Sequence, residues 1–335
     1  MGLFGKGGMV GLEFDTGLIR AVEVRGKNGS AKVVAGGQVP VPDGAVSDGI
    51  VQEPEVVADA LQKLWSKAGI GSKNVVLGMF NQGVIMRLIN FPKVPKDKLE
   101  QALRLQAGEY FPIPLSQMIL DFAVVGEVEN DGAEQYEVLL VAAKKTHMEP
   151  GLEALKKAKL SVDVVDATPL ALMRALPKEK LEGTVVLVDL AMGLSNLLLS
   201  IDGMPRFARV IPVNLKQYVS NVGASLEVQA DYQQYVAAAL EKDAGEEFNR
   251  WGSTVAKEIR ASISFYVKQD NLEDVDRVIL SGKGAKVIGL ADLLSEDLNV
   301  PVEVVQPMAN VDSKAELEGP DFAVCVGLAL RGLEV

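Results

Sequence analysis

The chain has 335 residues, which is more than one hydrophobic core normally organises, so its length predicts two or more packed units. Its apolar fraction of 48% favours buried sheets, and its formal charge of -11 excludes a surface that binds bare nucleic acid by neutralising phosphates. A single cysteine, Cys325, excludes an intrachain disulfide and is expected to be buried, and a single histidine, His147, excludes a metal site built from several histidines.

The N-terminal part of the chain predicts three strands, then a helix, then a fourth strand. Pro54 is well suited to the first helical position, apolar residues follow at helical spacing, and Gly69 ends the helix. This order is typical of one lobe of a doubly wound sheet, and we assign residues 1–81 and 166–181 to that lobe. The strands are expected at residues 10–17, 18–24, 31–39 and 74–80.

The pattern changes between residues 82 and 165, which we interpret as an inserted subdomain. Its second element is a helix that begins near Pro95, with its apolar residues along one stripe. The chain then resumes the first lobe with a helix at residues 169–176. Within the insert, the pattern predicts strands at 84–89, 118–125, 136–143 and 161–165, and a further helix at about 148–159.

The central stretch, residues 184–213, repeats the arrangement seen near the N-terminus. An apolar strand ends at Asp189, small residues form a turn, and two further strands follow. When Glu13 is aligned with Asp189, Gly17 falls on Gly193. An internal repeat of this kind predicts two related lobes that face one another across a cleft, each contributing an acidic turn.

The second lobe is predicted to span residues 182–335, with a smaller helical part at about 220–272. After a strand at 275–280, the turn 281–284 contains two glycines, which allow backbone amides to approach a ligand before the next helix begins. The last helix, at 321–330, is apolar on nearly every face and is expected to be buried, with the first lobe as one surface it can pack against.

These three turns, two in hairpins and one entering a helix, resemble those of the superfamily of actin, sugar kinases and Hsp70. The chain also resembles the PilM family of type IV pilus assembly proteins, which is similar in fold to the division protein FtsA. The resemblance implies an α/β, actin-like (ribonuclease H-like) two-lobed fold with an FtsA-type subdomain inserted in the first lobe. The stretches that carry it are residues 11–13, 20–23, 109–114, 139–145 and 326–331.

This resemblance implies a cytoplasmic scaffold of the pilus inner-membrane assembly platform. Such a scaffold binds the N-terminal cytoplasmic tail of the membrane protein PilN in a groove between the first lobe and the insert, with the pilus motor ATPases as further candidate partners. Our candidates for the groove are Arg87, Arg104, Tyr110 and Phe111. Two alternatives stay open, because Tyr110 and Phe111 also suit the core at a helix end, and Arg104 also suits a pair with Glu100.

The resemblance also implies that Mg²⁺ and ATP bind in the cleft, with Glu13 and Asp189 organising the metal. Asp15 and Ala191 stand where glycine is usual, so ATP hydrolysis is expected to be weak or absent. Lys283 either neutralises phosphate or points to water. Glu258 and Arg260 are candidates for contacting adenosine, or lie on an exposed helix face. The remaining candidate nucleotide-binding residues are Thr16, Gly17, Gly193, Ser195, Gly282 and Gly284.

Two other functions remain open. An FtsA-like filament-forming protein predicts ATP-dependent sedimentation, although no amphipathic membrane helix follows Arg331. A small-molecule kinase predicts steady phosphate release, although Asp15 would repel phosphate. No apolar run approaches the roughly 18 residues of a membrane span, and residues 1–8 do not suit a secretory signal, so we expect a cytoplasmic protein that contacts the membrane only through its partner.

Overall fold

The structure is a computed structural model that describes residues 8–26, 31–130, 132–225, 236, 240, 245–270, 274–306, 317 and 319–333. A five-stranded sheet forms the first lobe, with a three-stranded antiparallel meander at one side and two parallel strands at the other. In spatial order its strands are β10 (Ser161–Ala167), β6 (Asn74–Met79), β1 (Met9–Asp15), β2 (Leu18–Arg25) and β3 (Lys32–Pro40).

Helices cover both faces of this first sheet, so both faces of its strands are apolar. On one face lie α1 (Pro54–Ala68) and α3 (Lys145–Lys157), and on the other lie α4 (Thr168–Arg174) and α8 (Ala323–Leu333). A short hairpin of β4 (Val46–Ser47) and β5 (Ile50–Val51) lies beside the end of β1.

The second lobe repeats the strand order of the first, which confirms the predicted duplication. Its sheet also has an antiparallel meander followed by two parallel strands. In spatial order these are β13 (Met204–Ile211), β12 (Ser195–Ile201), β11 (Thr184–Asp189), β14 (Arg277–Ser281) and β15 (Val302–Val304). The helices of this lobe are α5 (Leu215–Ser225), α6 (Glu246–Asp270) and α7 (Leu290–Leu298).

The insert is a separate three-stranded antiparallel sheet with one helix, α2 (Lys96–Tyr110), packed on one face. Its opposite face packs against the second lobe, where Met86 and Leu139 share an apolar cluster with Ala208. Arg206 of β13 also pairs with Glu137 at 2.5 Å. The insert therefore bridges the two lobes. In spatial order its strands are β7 (Val84–Pro92), β9 (Ala133–Lys144) and β8 (Met118–Asn130).

The predicted boundary of the insert, residues 82–165, is wrong at its C-terminal end. The strand predicted at 161–165 is β10, which pairs in parallel with β6 of the first lobe, and α3 packs against α1. The separate sheet ends at Lys144, where α3 begins to lead the chain back. The alternating pattern of β10 identified a strand correctly but carried no information about which sheet it joins.

One further difference concerns a helix. Helix α6 begins at Glu246, earlier than the predicted start near Ser253, and its first turn carries two glutamates that favour a helix N-terminus. The helix predicted at 226–240, and with it much of the smaller part predicted at 220–272, lies outside the described residues. Short 3₁₀ turns occur at Leu115–Gln117, Lys178–Leu181, Lys283–Lys286 and Pro320–Phe322.

Helix α8 follows the second lobe in sequence but packs on the first sheet, between β1 and α4. Two glycines permit this close approach. A Cβ atom at Gly11 would lie 1.8 Å from the carbonyl oxygen of Cys325, and one at Gly327 would lie 1.8 Å from that of Ala171. In the part of the chain that the structure describes, neither α8 nor any other helix is long and apolar enough to span a bilayer.

Candidate functional site

The candidate site lies where the first strands of the two lobes end and face each other. Glu13 on β1 pairs in register with Gly78 of the parallel neighbour β6, and Asp189 on β11 pairs with Ser281 of the parallel neighbour β14. The two carboxylates thus occupy matching positions in the duplicated sheets. Both are buried, and their charges interact. The structure therefore brings together the acidic turns that the repeat predicted.

Asp15 connects the two lobes directly. Its Oδ2 accepts a hydrogen bond from the backbone N–H of Met192 at 3.1 Å, and its Oδ1 accepts one from that of Gly193 at 3.1 Å. Oδ1 also accepts the N–H of Thr16 at 2.7 Å. Successive backbone amides that converge in this way form an anion-binding concavity. The anion in it is the side chain of Asp15.

Arg20 on β2 supplies the matching positive charge. Its side chain is 1% exposed, and its guanidinium contacts Glu13 at 3.1 Å and Asp15 at 3.0 Å. Arg20 belongs to one of the stretches that carry the family resemblance, but its pairing with the carboxylates was not predicted. A signal was available, because an arginine within the apolar run of a buried strand requires buried carboxylate partners.

Burial changes how readily these carboxyls ionise. Desolvation raises the pKa of Glu13 to about 8, against the lowering effect of Arg20, and the negative charges of Asp189 and Asp15 add to the rise. Desolvation likewise raises the pKa of Asp189 to about 6. Among the described residues, Oδ2 of Asp189 has no hydrogen-bond partner. The cluster holds three carboxyls against one guanidinium, so it retains a proton more readily than isolated acids would.

These pKa values predict that the cluster makes the fold less stable as pH rises. The folded pKa values, about 8 for Glu13 and about 6 for Asp189, exceed the ordinary values of 4.5 and 3.8. The stabilisation is therefore fully present at a pH below the ordinary pKa values, and it is lost as the pH rises through the folded pKa values. Glu13→Gln should flatten this dependence, by at most about 1.4 kcal/mol per pH unit. Urea unfolding of both proteins between about pH 5 and pH 9 measures it. Parallel pH profiles would contradict the assignment.

The hydroxyl of the second turn forms hydrogen bonds within its own lobe. Ser195 donates its Oγ–H to the carbonyl of Val213 at 2.7 Å and accepts the N–H of Ala191 at 3.2 Å. This hydroxyl is completely buried and closes the turn, so its hydrogen-bonding capacity is used within the second lobe, and its contact with phosphate stays a prediction. The carbonyl of Val213 accepts both the backbone N–H of Ser195, at 3.0 Å, and its hydroxyl, so Ser195 fastens the start of β12 to the segment that follows β13.

The first turn is also closed. Thr16 accepts the N–H of Asp48 at 2.9 Å, and Gly17 donates its N–H to Val46 at 3.4 Å. A Cβ atom at Gly193 would lie 2.1 Å from the hydroxyl oxygen of Thr16, so the two turns are in close contact. Their predicted phosphate-binding groups face each other with no ligand-sized gap.

The backbone amides of the third turn donate hydrogen bonds to carbonyls of the protein itself. Gly282 donates its N–H to Pro320 at 3.1 Å, and Gly284 donates to Leu190 at 2.9 Å. Lys283 is 6% exposed, and burial lowers the pKa of its ammonium. The alternative in which Lys283 points to water is therefore wrong. The sequence could not decide this, because the direction of a turn side chain depends on the lobe that packs over it.

The candidate adenosine contacts make other contacts. Glu258 pairs with Arg209 of β13 at 2.6 Å, and Arg260 donates to the backbone carbonyl of Asp297. Glu258 thus ties α6 to the sheet of its own lobe. The alternative of an exposed helix face describes Arg260 but not the half-buried Glu258.

The fit of Mg²⁺ and ATP can be tested on this geometry. The space left between the turns is a cavity of about 20 Å³, lined by Glu13 and Asp15 of the first lobe and Ala191 and Asn196 of the second. Such a space holds about one water molecule. The residues of this cleft, as the structure arranges them, do not fit Mg·ATP.

Of the groove candidates on the insert, the structure leaves two on the surface. Arg87 is exposed on β7, and Arg104 is exposed and pairs with Glu100 at 3.0 Å, as the alternative interpretation expected. Phe111 is 6% exposed within the core between α2 and the sheet, with Tyr110 half-buried beside it. The prediction that Phe111 lines a groove is therefore wrong, because burial in the core of the insert satisfies its aromatic ring.

Solved structures place this fold in a known class. The protein of the structure named PilM-PilN type IV pilus biogenesis complex is 29% identical, with a TM-score of 0.85 and coverage of 98% of this chain and 99% of that one. The ethanolamine utilization protein EutJ from Carboxydothermus hydrogenoformans is 14% identical, with a TM-score of 0.58 and coverage of 96% and 88%. The duplicated sheets and facing acidic turns define an actin-like protein, as predicted.

Sequence comparison identifies the family within that class. The cell division protein FtsA of Borreliella burgdorferi is 21% identical in an alignment 299 residues long that covers 77% of this chain and 72% of that protein. The profile of the family described as type IV pilus assembly protein PilM matches residues 11–333. The chain belongs to the PilM family, and the resemblance drawn from its motifs is confirmed.

Proposed function

We propose that this protein is a scaffold of the type IV pilus assembly platform that binds the N-terminal cytoplasmic tail of a PilN-type membrane protein. The observation that carries the proposal is the likeness, over 98% of the chain, to the protein in the PilM-PilN complex. Membership of the PilM family supports the same process. The proposal places the protein at the cytoplasmic side of the inner membrane, held there by its partner.

The construction of the insert supports a role in protein binding. It is joined to the first lobe at β7 and α3 and braced against the second lobe by Arg206 and Glu137, so it presents a fixed surface. An extended peptide can add to an unpaired strand edge. Each sheet has two edge strands, β7 and β8 in the insert and β10 and β3 in the first lobe. We propose that the tail binds between these two units, with Arg87 and Tyr110 as candidate contacts.

A synthetic peptide that copies the partner's tail tests this proposal. Peptide at about 100 times its Kd should add about 2.7 kcal/mol to the free energy of unfolding and raise the melting temperature. Arg87→Glu should weaken binding measured by calorimetry. The matched control is Arg250→Glu on α6 of the second lobe, where the side chain is 65% exposed. A scrambled peptide should give no shift.

Two results would count against the proposal. If the tail peptide at saturation leaves the melting temperature unchanged, the tail is not the ligand. If hydrogen exchange slows on peptide addition only in the second lobe, the tail binds but the location is wrong. Protection confined to β8 or to β10 would show which strand edge the peptide uses.

The ATP-dependent alternatives receive no support from the cleft. A small-molecule kinase and an ATP-driven filament both require Mg·ATP, for which the cleft leaves about 20 Å³. We therefore propose a scaffold whose binding of the tail does not require nucleotide. The pilus motor ATPases stay a prediction as further partners.

A further inference from the structure

We infer that Asp15 and Arg20 form a built-in ion pair that takes the place of a nucleotide phosphate and its cation, so that the cleft is closed without Mg·ATP. This inference concerns the cleft alone and does not depend on the partner proposed above. It starts from the amides of Met192 and Gly193, which are the anion-binding groups of the second turn. Each donates to a different oxygen of Asp15, at 3.1 Å.

A phosphate could use these amides only by displacing Asp15. The displaced carboxylate would stay buried next to the incoming anion, and unpaired buried charges are strongly unfavourable. Arg20 places its positive charge against both Glu13 and Asp15 through Nη2, while its Nη1 has no hydrogen-bond partner among the described residues. An incoming Mg²⁺ would find Glu13 already paired with this fixed guanidinium.

The amides and the hydroxyl described in the first and third turns are not free to bind phosphate either. The amides of Gly282 and Gly284 donate to backbone carbonyls of Pro320 and Leu190. The hydroxyl of Thr16 accepts a hydrogen bond and touches Gly193. The amides and hydroxyls described in all three turns are therefore already hydrogen-bonded to the protein's own groups.

The functional consequence is a scaffold whose lobes are held in one relative position by an internal contact. In a nucleotide-binding relative of this fold, ligand would bridge the turns and its loss would free the lobes. Here the bridge is covalently part of β1, so its effective concentration does not depend on the nucleotide supply. The lobes should stay closed whatever the ratio of ATP to ADP.

Thermal unfolding of the full chain, with and without millimolar Mg·ATP, Mg·ADP or inorganic phosphate, tests the inference. The wild-type melting temperature should not move with any of the three. Asp15→Asn removes the charge at constant size and should lower the melting temperature. Asp15→Gly should lower it further and make it rise again with Mg·ATP or phosphate, because the amides are then free.

The matched control is Asp43→Asn. Asp43 also bridges the lobes, through Lys216 at 2.5 Å, but its side chain is 86% exposed. An exposed pair contributes little, so this variant should melt as the wild type does and ignore nucleotide. A saturable rise of the wild-type melting temperature with Mg·ATP would overturn the inference, as would an Asp15→Asn variant as stable as the wild type. If Asp15→Gly does not fold, these two measurements still decide.

Discussion

Replacing Arg20 with methionine should lower the free energy of unfolding by about 3–5 kcal/mol, the range measured when one partner of a buried ion pair is removed. Methionine fills most of the volume of the arginine stem but leaves Glu13 and Asp15 in a buried site without a cation. The pKa of Glu13, which burial already raises, would also lose the lowering effect of Arg20. Urea unfolding at neutral pH, followed by circular dichroism, measures the loss.

Two further variants separate lost charge from lost packing. Adding Glu13→Gln to Arg20→Met removes one of the stranded carboxylates and should restore part of the stability. Arg104→Met removes an arginine from an exposed pair with Glu100 and should change the free energy of unfolding by less than about 1 kcal/mol. If Arg20→Met costs no more than Arg104→Met, the buried cluster does not hold the lobes together.

Replacing Gly327 with alanine should cost about 3 kcal/mol, the upper end of the cost of overpacking, although alanine is the better helix former. The added Cβ would lie 1.8 Å from the backbone oxygen of Ala171, and a backbone atom cannot rotate away. Helix α8 would have to move off α4, which also disturbs the hydrogen bond from Arg174 to the Gly327 carbonyl, now 3.0 Å long. Thermal and urea unfolding give the magnitude.

Gly108→Ala provides the same chemical change where the structure is open. Gly108 lies on α2, and a Cβ there meets nothing within 4 Å. This substitution should stabilise the protein by about 0.5–1 kcal/mol, because alanine loses less conformational entropy in a helix. We expect the free energy of unfolding to fall in Gly327→Ala and to rise in Gly108→Ala. Equal effects would mean that α8 does not pack as tightly as the distances indicate.

The duplicated fold could be predicted because its signals are local. Apolar strands, acidic turns and the short hairpin connections recur in both halves at matching positions, and Glu13 and Asp189 could be aligned from spacing alone. The sheet that receives β10 could not be predicted, because its partner β6 lies far earlier in the chain. Pairing between distant strands depends on how α3 returns over the first sheet, which no local pattern encodes.

The site was harder to predict than the fold. The sequence identified Asp15 as an unusual residue that would repel phosphate, but a carboxylate's reach to Met192 and Gly193 depends on how closely two lobes approach. The partner of the Ser195 hydroxyl could not be predicted for the same reason. A serine hydroxyl can bind a ligand or a nearby carbonyl, and only the tertiary structure shows that the carbonyl of Val213 lies within reach. Residue type predicted which groups are polar, and tertiary contacts decided which of them are already satisfied.

The position of α8 has a consequence for synthesis. The helix covers apolar surface of β1, β2 and β6, although roughly three hundred residues separate it from β1 in the chain. A nascent polypeptide would carry that surface bare on the ribosome until residues 323–333 emerge, and incomplete cores of this kind recruit chaperones or aggregate. Translation that stops before α8 would therefore release a chain whose first sheet is uncovered on that face, even though all five of its strands have been made.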